Sequence, residues 1–251
     1  MDMLRGWSAI LSELVIVLLW AAPALAQTPA SRPAVDPDLV GWWRGADASD
    51  GTAADLSGHN HPLRPSGSGK LTTRPVDGHV AFSFARDDAP LSGGTATEFD
   101  FAHDFTIACF VRFDRDCPSA VVLKKIEKNA PGGYAIVYEP ADGLVFYGED
   151  PVTMVASVRP APLKWHHLAV TYSNSRFLFY IDGRAIAAAN HEKFPGPNKA
   201  HLLLGGTNGT RALLGAMDDI RIYHRAMRED DIMLLATAVQ DNPGMVSRPA
   251  S

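Results

Sequence analysis

Two segments far apart in the chain carry the side chains best suited to binding an ion. The first, residues 55–60, is a polar turn that contains a glycine and offers carboxylate, hydroxyl and amide oxygens. The second alternates like a strand, so Asp218 is expected to share one face with Ile220 and Ile222. An unpaired carboxylate among core isoleucines is unfavourable, so Asp218 needs a cation or several hydrogen bonds.

Together the two segments predict a structural calcium site. Carboxylate, amide and carbonyl oxygens are the ligands that Ca²⁺ takes, and Asp55, Asn60 and Asp218 are the predicted ligands. The ion would join the N-terminal loop to the last strand and stabilise the fold by mass action. The alternative is that backbone amides of the loop satisfy Asp218 without an ion.

The carboxylates do not follow the pattern of a glycoside hydrolase. Such enzymes flank the scissile bond with two carboxylates, which on one strand requires closely spaced acids. Glu139, Glu149 and Asp150 lie instead at predicted strand ends, where solvated charge is the ordinary explanation. A Gly-x-Ser-x-Gly nucleophile elbow is also missing. The sequence therefore predicts no catalytic residues and no enzyme activity.

Two histidine pairs raise the question of zinc. His59 and His61 form one pair, and His166 and His167 form the other. Zinc needs three or four convergent ligands, and neither pair is accompanied by cysteines or by a helical His-Glu-x-x-His motif. The sequence alone gives little support to zinc.

Three aromatic residues in predicted strands are candidates for a sugar-stacking surface. They are Phe110, Tyr147 and Trp165. Aromatic side chains also suit half-buried sheets for packing reasons alone. Both explanations stay open at this stage.

The first 26 residues predict a secretory signal peptide. Arg5 precedes an apolar run over residues 14–22, and Ala24, Leu25 and Ala26 form a small-residue ending that favours cleavage before Gln27. The run is shorter than the roughly 20 apolar residues of a membrane span. We therefore expect a secreted or periplasmic protein with no membrane span after cleavage.

Charge and length restrict the partners and the domain count. Removal of residues 1–26 takes away one basic and two acidic residues from a chain of net charge −5, which leaves −4. A mildly acidic chain without a basic cluster argues against binding nucleic acid or anionic lipid. Residues 27–38 predict a flexible linker, residues 39–238 a single large β domain, and residues 239–251 a disordered tail.

Short apolar segments separated by turn signals dominate the predicted domain. Asp-Gly at 142–143 and at 182–183 predicts hairpins, and one helix is expected over residues 228–237. The pattern predicts an all-β protein, a two-sheet antiparallel sandwich with one short C-terminal helix. The predicted strands are 39–43, 80–84, 105–113, 120–124, 134–138, 144–148, 166–172, 177–182, 200–204 and 217–223.

The chain has two cysteines, Cys109 and Cys117. Cys109 falls on the apolar face of its predicted strand and is expected to be a small buried hydrophobe. If the strand turns back near Arg115, Cys109 would face a residue near Val121 rather than Cys117. A disulfide between the two cysteines is thus possible but not favoured.

Six motifs, in order along the chain, resemble those of laminin-G-like domains of the concanavalin A-like jelly-roll family. The resemblance covers residues 39–238, nearly the whole mature protein. Phe110 departs from the pattern, because these domains commonly have tryptophan there. The motifs are Leu39-Val40-Gly41-Trp42-Trp43-Arg44-Gly45, 55–60, 105–111, 165–172, 179–183 and 218–227.

This resemblance implies a jelly roll of two antiparallel sheets with a calcium site where the N-terminal loop meets the last strand. Asp55, Asn60 and Asp218 match the positions of that site. The function we expect is a secreted, non-catalytic recognition or adhesion module, a lectin-like domain that binds a glycan or an extracellular protein. The alternatives are a divergent glycoside hydrolase or polysaccharide lyase, and an accessory domain without glycan affinity. The sequence leaves the ligand and the oligomeric state open.

Overall fold

The protein was analysed as a computed structural model, which describes residues 36–101, 103–127, 132–148, 153–190, 196–207 and 210–238. The predicted signal peptide, most of the predicted linker and the predicted tail lie outside these residues, as do Glu149 and Asp150. Within the described part of the chain, no helix has the length and apolar character needed to cross a membrane.

The described residues form β-strands, two short 3-10 turns and one α-helix. The helix α1 spans Glu229–Thr237, one residue shorter than predicted, with Arg228 at its N-cap. The strands are β1 (Leu39–Trp43), β2 (Ala48–Ser49), β3 (Thr52–Ala53), β4 (Arg64–Pro65), β5 (Thr73–Val76), β6 (His79–Phe84), β7 (Leu91–Gly94), β8 (Phe105–Phe113), β9 (Ala120–Lys125), β10 (Tyr134–Glu139), β11 (Gly143–Tyr147), β12 (Thr153–Val155), β13 (Trp165–Ser173), β14 (Arg176–Ile181), β15 (Arg184–Asn190), β16 (Leu202–Leu204) and β17 (Gly215–Tyr223).

Two antiparallel sheets account for almost all of the strands. An eight-stranded sheet has the order β15-β14-β13-β8-β17-β6-β5, with β1 paired to β17, and a seven-stranded sheet has the order β12-β11-β10-β9-β16-β7-β4. Strands β2 and β3 form a separate small hairpin. The predicted Asp-Gly turns join β10 to β11 and β14 to β15.

The core lies between the two sheets. Alternate residues of β8, such as Phe105 and Ile107, pack in one cluster with Ile136 of β10 and Phe146 of β11. Burial of such aliphatic and aromatic side chains supplies about 1.5–3 kcal/mol each. The predicted fold class, an all-β antiparallel sandwich with one short C-terminal helix, is confirmed.

The outer face of the eight-stranded sheet, which we call the covered face, is packed against other parts of the chain. Tyr180 and Tyr223 form a second apolar cluster there with Leu39 of β1, with Ile232 of α1, and with Met227, which precedes the helix. Ile232 is fully buried, and it anchors the helix on this face.

A β-bulge in β17 changes the expected alternation of that strand. The pairing of β17 with β8 shifts between Asp218 and Arg221, and Asp219 has a φ of +48°. The extra residue puts Met217 in the core cluster together with Ile220 and Ile222. The prediction that Asp218 shares the face of these isoleucines is therefore wrong, because the simple two-residue period does not continue through the bulge.

Both cysteines are buried and free. Cys109 lies in the core cluster, and its burial raises the pKa of its thiol to about 12. The strand that contains Cys109, β8, and the following strand β9 belong to different sheets rather than to one hairpin.

Candidate functional site

The carboxylate of Asp55 organises the loop that follows β1. Its Oδ1 accepts hydrogen bonds from the backbone N–H of Trp42 (3.0 Å) and of Ser57 (2.9 Å), and its Oδ2 accepts one from His61 N–H (3.0 Å). Backbone donors therefore serve both oxygens of this predicted calcium ligand.

Asp218 is connected to the same region of the chain. It is 2% exposed, and its Oδ1 accepts a hydrogen bond from Gly45 N–H (2.9 Å). Gly45 is packed so tightly that a Cβ there would lie 2.5 Å from the carbonyl oxygen of Val80. Asn60, the third predicted ligand, is exposed with a φ of +62°. Calcium at Asp55, Asn60 and Asp218 remains a prediction, and backbone amides already contribute hydrogen bonds to both carboxylates.

The three aromatic candidates do not share one surface. Phe110 and Trp165 lie on the eight-stranded sheet, whereas Tyr147 ends β11 of the seven-stranded sheet. Phe110 packs edge-on against the ring of His167 at 5.0 Å, and Trp165 donates its Nε1–H to the carbonyl oxygen of Val76 (3.3 Å). The hypothesis that all three form a single stacking platform is wrong, because the strands that carry them belong to opposite sheets.

A charged network that the sequence did not single out is centred on Asp219. The residue is 4% exposed, and its Oδ1 accepts hydrogen bonds from Trp42 Nε1–H (2.6 Å) and Arg221 Nε–H (2.9 Å). The Arg221 guanidinium also lies 4.5 Å from the centroid of the Trp42 ring, a cation–π distance. These contacts join β1 to β17. In the sequence, Asp219 cannot be told apart from its neighbour Asp218. Only the bulge, which appears in the fold, separates the roles of the two aspartates.

His167 lies close to this network on the covered face. Burial is the main reason that its pKa falls from 6.5 to about 4, and Arg221 lowers it further while Asp219 and Asp182 oppose the change. Its Nδ1 is buried without a hydrogen-bond partner. The imidazole is therefore neutral at physiological pH, in a structural rather than an exposed setting.

The outer face of the seven-stranded sheet, which we call the open face, has a different character. Directly paired residues on adjacent antiparallel strands point to the same side of a sheet. One continuous series of such pairs crosses six strands, from β11 to β4, and we call it the cross-strand row. It consists of Tyr147, Ala135, Lys124, Leu203, Ser92 and Arg64.

Three adjoining surface cavities follow the cross-strand row. One of about 350 Å³ is lined by Tyr147, Ala135 and Lys124, and the next, of about 280 Å³, by Lys124 and Leu203. The third, of about 430 Å³, contains Ser92 and Arg64. Strands lie 4.7–4.9 Å apart, so five spacings make the row about 24 Å long. The open face thus carries a shallow groove that runs across the strands.

Polar groups accompany an apolar floor along this groove. Val121, Ala135 and Val137 form a buried apolar cluster against which Tyr147 packs. Burial lowers the pKa of Lys124, whose Nζ donates to a backbone carbonyl at 3.2 Å.

The far half of the groove and its rim are polar. His201 Nδ1 lies 3.0 Å from Ser92 Oγ beside the groove. At the rim, Glu139 ends β10 in an ion pair with Arg211, rather than as the solvated charge expected from sequence.

The chain belongs to the concanavalin A-like lectin/glucanases superfamily. The profile of this family matches residues 77–233, more than half of the sequence. The family assignment agrees with the resemblance read from the motifs. A sequence comparison with curated proteins gives no match.

Several solved structures share the fold at low sequence identity. The binding domain of Paraclostridial mosquitocidal protein 1 aligns with a TM-score of 0.63 and 18% identity over 79% of this chain and 52% of its own. Domain 4 of AbnA, an extracellular GH43 arabinanase from Geobacillus stearothermophilus, was solved with arabinotriose. It aligns with a TM-score of 0.65 and 15% identity over 79% of this chain and 98% of its own. A structure of botulinum neurotoxin type C is described in terms of interaction with two ganglioside molecules. It aligns with a TM-score of 0.61 and 15% identity over 82% of this chain and 52% of its own. The chain spans about half the length of the two toxin chains.

Proposed function

We propose that this protein is a secreted, non-catalytic module that binds an extended glycan along the cross-strand row of the open face. The observation that carries the proposal is the row itself, in which a half-buried tyrosine, an apolar floor and polar side chains follow one another across six strands. Two structures with the same fold point the same way, since one was solved with arabinotriose and another is described with gangliosides.

The chemistry of the row suits a saccharide. A sugar ring presents an apolar face, which packs on an aromatic ring such as Tyr147, and a rim of hydroxyl groups, which bind polar side chains. Lys124, Ser92 and Arg64 supply those polar groups from β9, β7 and β4. With only one aromatic ring in the row, we expect affinities in the micromolar-to-millimolar range, about −4 to −8 kcal/mol.

Hydrolysis of the bound glycan is the competing function on the same fold. Glycosidases need a pair of carboxylates on either side of the bond. Glu139, the described member of the three acids considered from sequence, is held by Arg211 at the end of β10. We therefore propose binding without turnover.

A glycan array on the mature protein, with and without chelator, is the first test. For a glycan that binds, calorimetry should show that Tyr147→Ala weakens affinity about tenfold, equivalent to about 1.4 kcal/mol. Lys124→Ala should also weaken binding, whereas Lys164→Ala, which replaces an exposed lysine outside the row, should not.

Two results would overturn the proposal. One is the absence of any glycan ligand for the folded protein, which would favour a protein partner. The other is equal affinity of the row variants and Lys164→Ala. Analysis of the glycan products after prolonged incubation distinguishes binding from hydrolysis. Secretion is tested by determining the N-terminal residue of the exported protein, which is expected to be Gln27.

A further inference from the structure

Three side chains that are distant in sequence meet beside the loop that Asp55 organises. His59, His61 and Glu98 each offer one ligand atom, and all three atoms lie within 4.8 Å of one another. This is the one such group of three histidine, cysteine or acidic side chains in the part of the chain that the structure describes. From sequence the histidine pair lacked a third ligand, and the fold supplies it from the 3-10 turn Thr97–Phe99.

His61 is held in place from several sides. Its backbone N–H donates to Asp55 Oδ2 (3.0 Å), and its carbonyl accepts a hydrogen bond from Trp43 Nε1–H (2.8 Å). Its ring packs edge-on against Phe99, with centroids 5.0 Å apart. The imidazole is therefore positioned before any ligand arrives, which reduces the entropy lost on binding.

The ring nitrogen that faces Glu98 has no other partner. His61 Nε2 lies 3.6 Å from Glu98 Oε1, and this nitrogen is buried without a hydrogen-bond partner. The neighbouring ring of His59 stacks at 6.3 Å with an interplanar angle of 17°, and Asn60 between the two histidines adopts a left-handed conformation. A buried nitrogen lone pair or N–H without a partner is unfavourable unless something else binds there.

We propose that His59, His61 and Glu98 bind a transition-metal ion of the Zn²⁺ class. Two imidazoles and one carboxylate are a recognised set of three protein ligands for zinc, in which the fourth position is left to water or to a ligand. Ligands bound at about 2.1 Å in tetrahedral geometry lie about 3.4 Å apart, close to the His61–Glu98 distance. Imidazole suits zinc, copper or nickel, whereas calcium prefers oxygen ligands, so this site is distinct in chemistry from the predicted calcium site.

The surroundings add charge and access to the site. A hydrogen bond from the backbone N–H of Glu98 to its own carboxylate holds the pKa of Glu98 below its usual value, against the opposing effect of desolvation. His61 also lines the 430 Å³ cavity that contains Arg64 and Ser92. The metal would therefore lie beside the β4 end of the groove.

Titration calorimetry of chelator-treated full chain with Zn²⁺ tests the proposal directly. We expect one ion per chain, and a visible absorption spectrum typical of imidazole coordination when Co²⁺ replaces Zn²⁺. His59→Ala and Glu98→Gln should each weaken binding at least about tenfold. Binding should also weaken at acidic pH, because protons compete with the ion for imidazole ligands.

The matched control is His103→Ala, which removes an exposed histidine outside the cluster. Melting curves of each variant without metal establish that it is folded, and His59 is suitable because its side chain is exposed. The proposal is overturned if the folded wild type binds no stoichiometric Zn²⁺, or if His59→Ala and Glu98→Gln bind as tightly as His103→Ala. Glycan binding is measured separately, so failure here leaves the proposed function untouched.

Discussion

The outer faces of the two sheets use polar residues in opposite ways. On the covered face, Asp219 and Arg221 are directed at each other and at Trp42. On the open face, Lys124 and Arg64 stand at separate places along a groove lined by cavities. Both faces belong to the same two-sheet sandwich.

The difference shows where a sandwich of this kind can hold a ligand. On the covered face, α1 packs in an apolar cluster with Tyr180 and Tyr223 and fills space that a ligand would need. Burial there makes unpartnered charge unfavourable. On the open face, three cavities lie along the cross-strand row instead. Substitutions on the covered face should therefore change stability, and those on the open face should change binding.

The largest expected effect follows from breaking the network of the covered face. Asp219→Ala leaves Trp42 Nε1–H and the Arg221 guanidinium without their acceptor, and we expect a loss of about 3–5 kcal/mol in the free energy of unfolding. Urea denaturation measures this loss in the free energy of unfolding. Asp47→Ala, which breaks the more exposed pair with Arg44, is the control and should change stability by less than about 1 kcal/mol. Equal losses in both variants would contradict the comparison.

The next effect concerns pH and His167. Its folded-state pKa of about 4 lies below the unfolded value of 6.5, so protonation favours the unfolded chain. The stabilisation is fully present above pH 6.5 and is lost as the pH falls towards 4, by about 3 kcal/mol in total. His167→Asn removes this titration, so the stability curves of the two proteins should differ in slope between pH 6.5 and 4. Parallel curves would show that His167 is not buried as described.

A smaller effect is expected from calcium. Because backbone amides already donate to Asp55 and Asp218, the ion would add only about 1 kcal/mol at a concentration several times its Kd. In a domain of this size that raises the melting temperature by about 2–4 °C. Asp218→Ala should abolish the rise. Melting that does not respond to calcium or chelator in the wild type would leave the amides as the whole explanation.

The smallest effect on stability should come from the far end of the open face. Arg64 is exposed, and Arg64→Ala should change the free energy of unfolding by no more than about 0.5 kcal/mol. For a saccharide that spans the row of about 24 Å, however, affinity should fall several-fold. A short saccharide that reaches only Tyr147 should bind the variant and the wild type equally. Calorimetry with an oligosaccharide length series distinguishes the two cases.

The sequence predicted which segments form strands better than it predicted which side of a sheet each residue occupies. Strand β8 was predicted with its observed bounds, because its apolar and aromatic residues lie between clear turn signals. Strands β4 and β7, which form one end of the groove, were missed, since Arg64–Pro65 and Leu91–Gly94 contain proline or two glycines and show no apolar alternation. The strands with the weakest local signal thus carry part of the candidate site.

The candidate ion sites depended even more on tertiary structure. Asp55 was recognised from its polar turn, but the side of the strand on which Asp218 lies was wrong, because a bulge cannot be read from a two-residue period. Glu98 gave no signal as a ligand, since it meets His59 and His61 only after the 3-10 turn folds against their loop. Local patterns predict elements, whereas convergence of distant side chains requires the fold.

The bulge at Asp219 also has an evolutionary consequence. An inserted residue normally moves every later residue of a strand to the opposite side of the sheet. Here the bulge absorbs the extra residue, so Met217 before it and Ile220 after it both face the core. The strand therefore contains one residue more than regular alternation needs, and that residue carries the carboxylate that holds Trp42. A lineage could lose this position by a single-codon deletion and keep its core, while giving up the side-chain contact between Asp219 and its first strand.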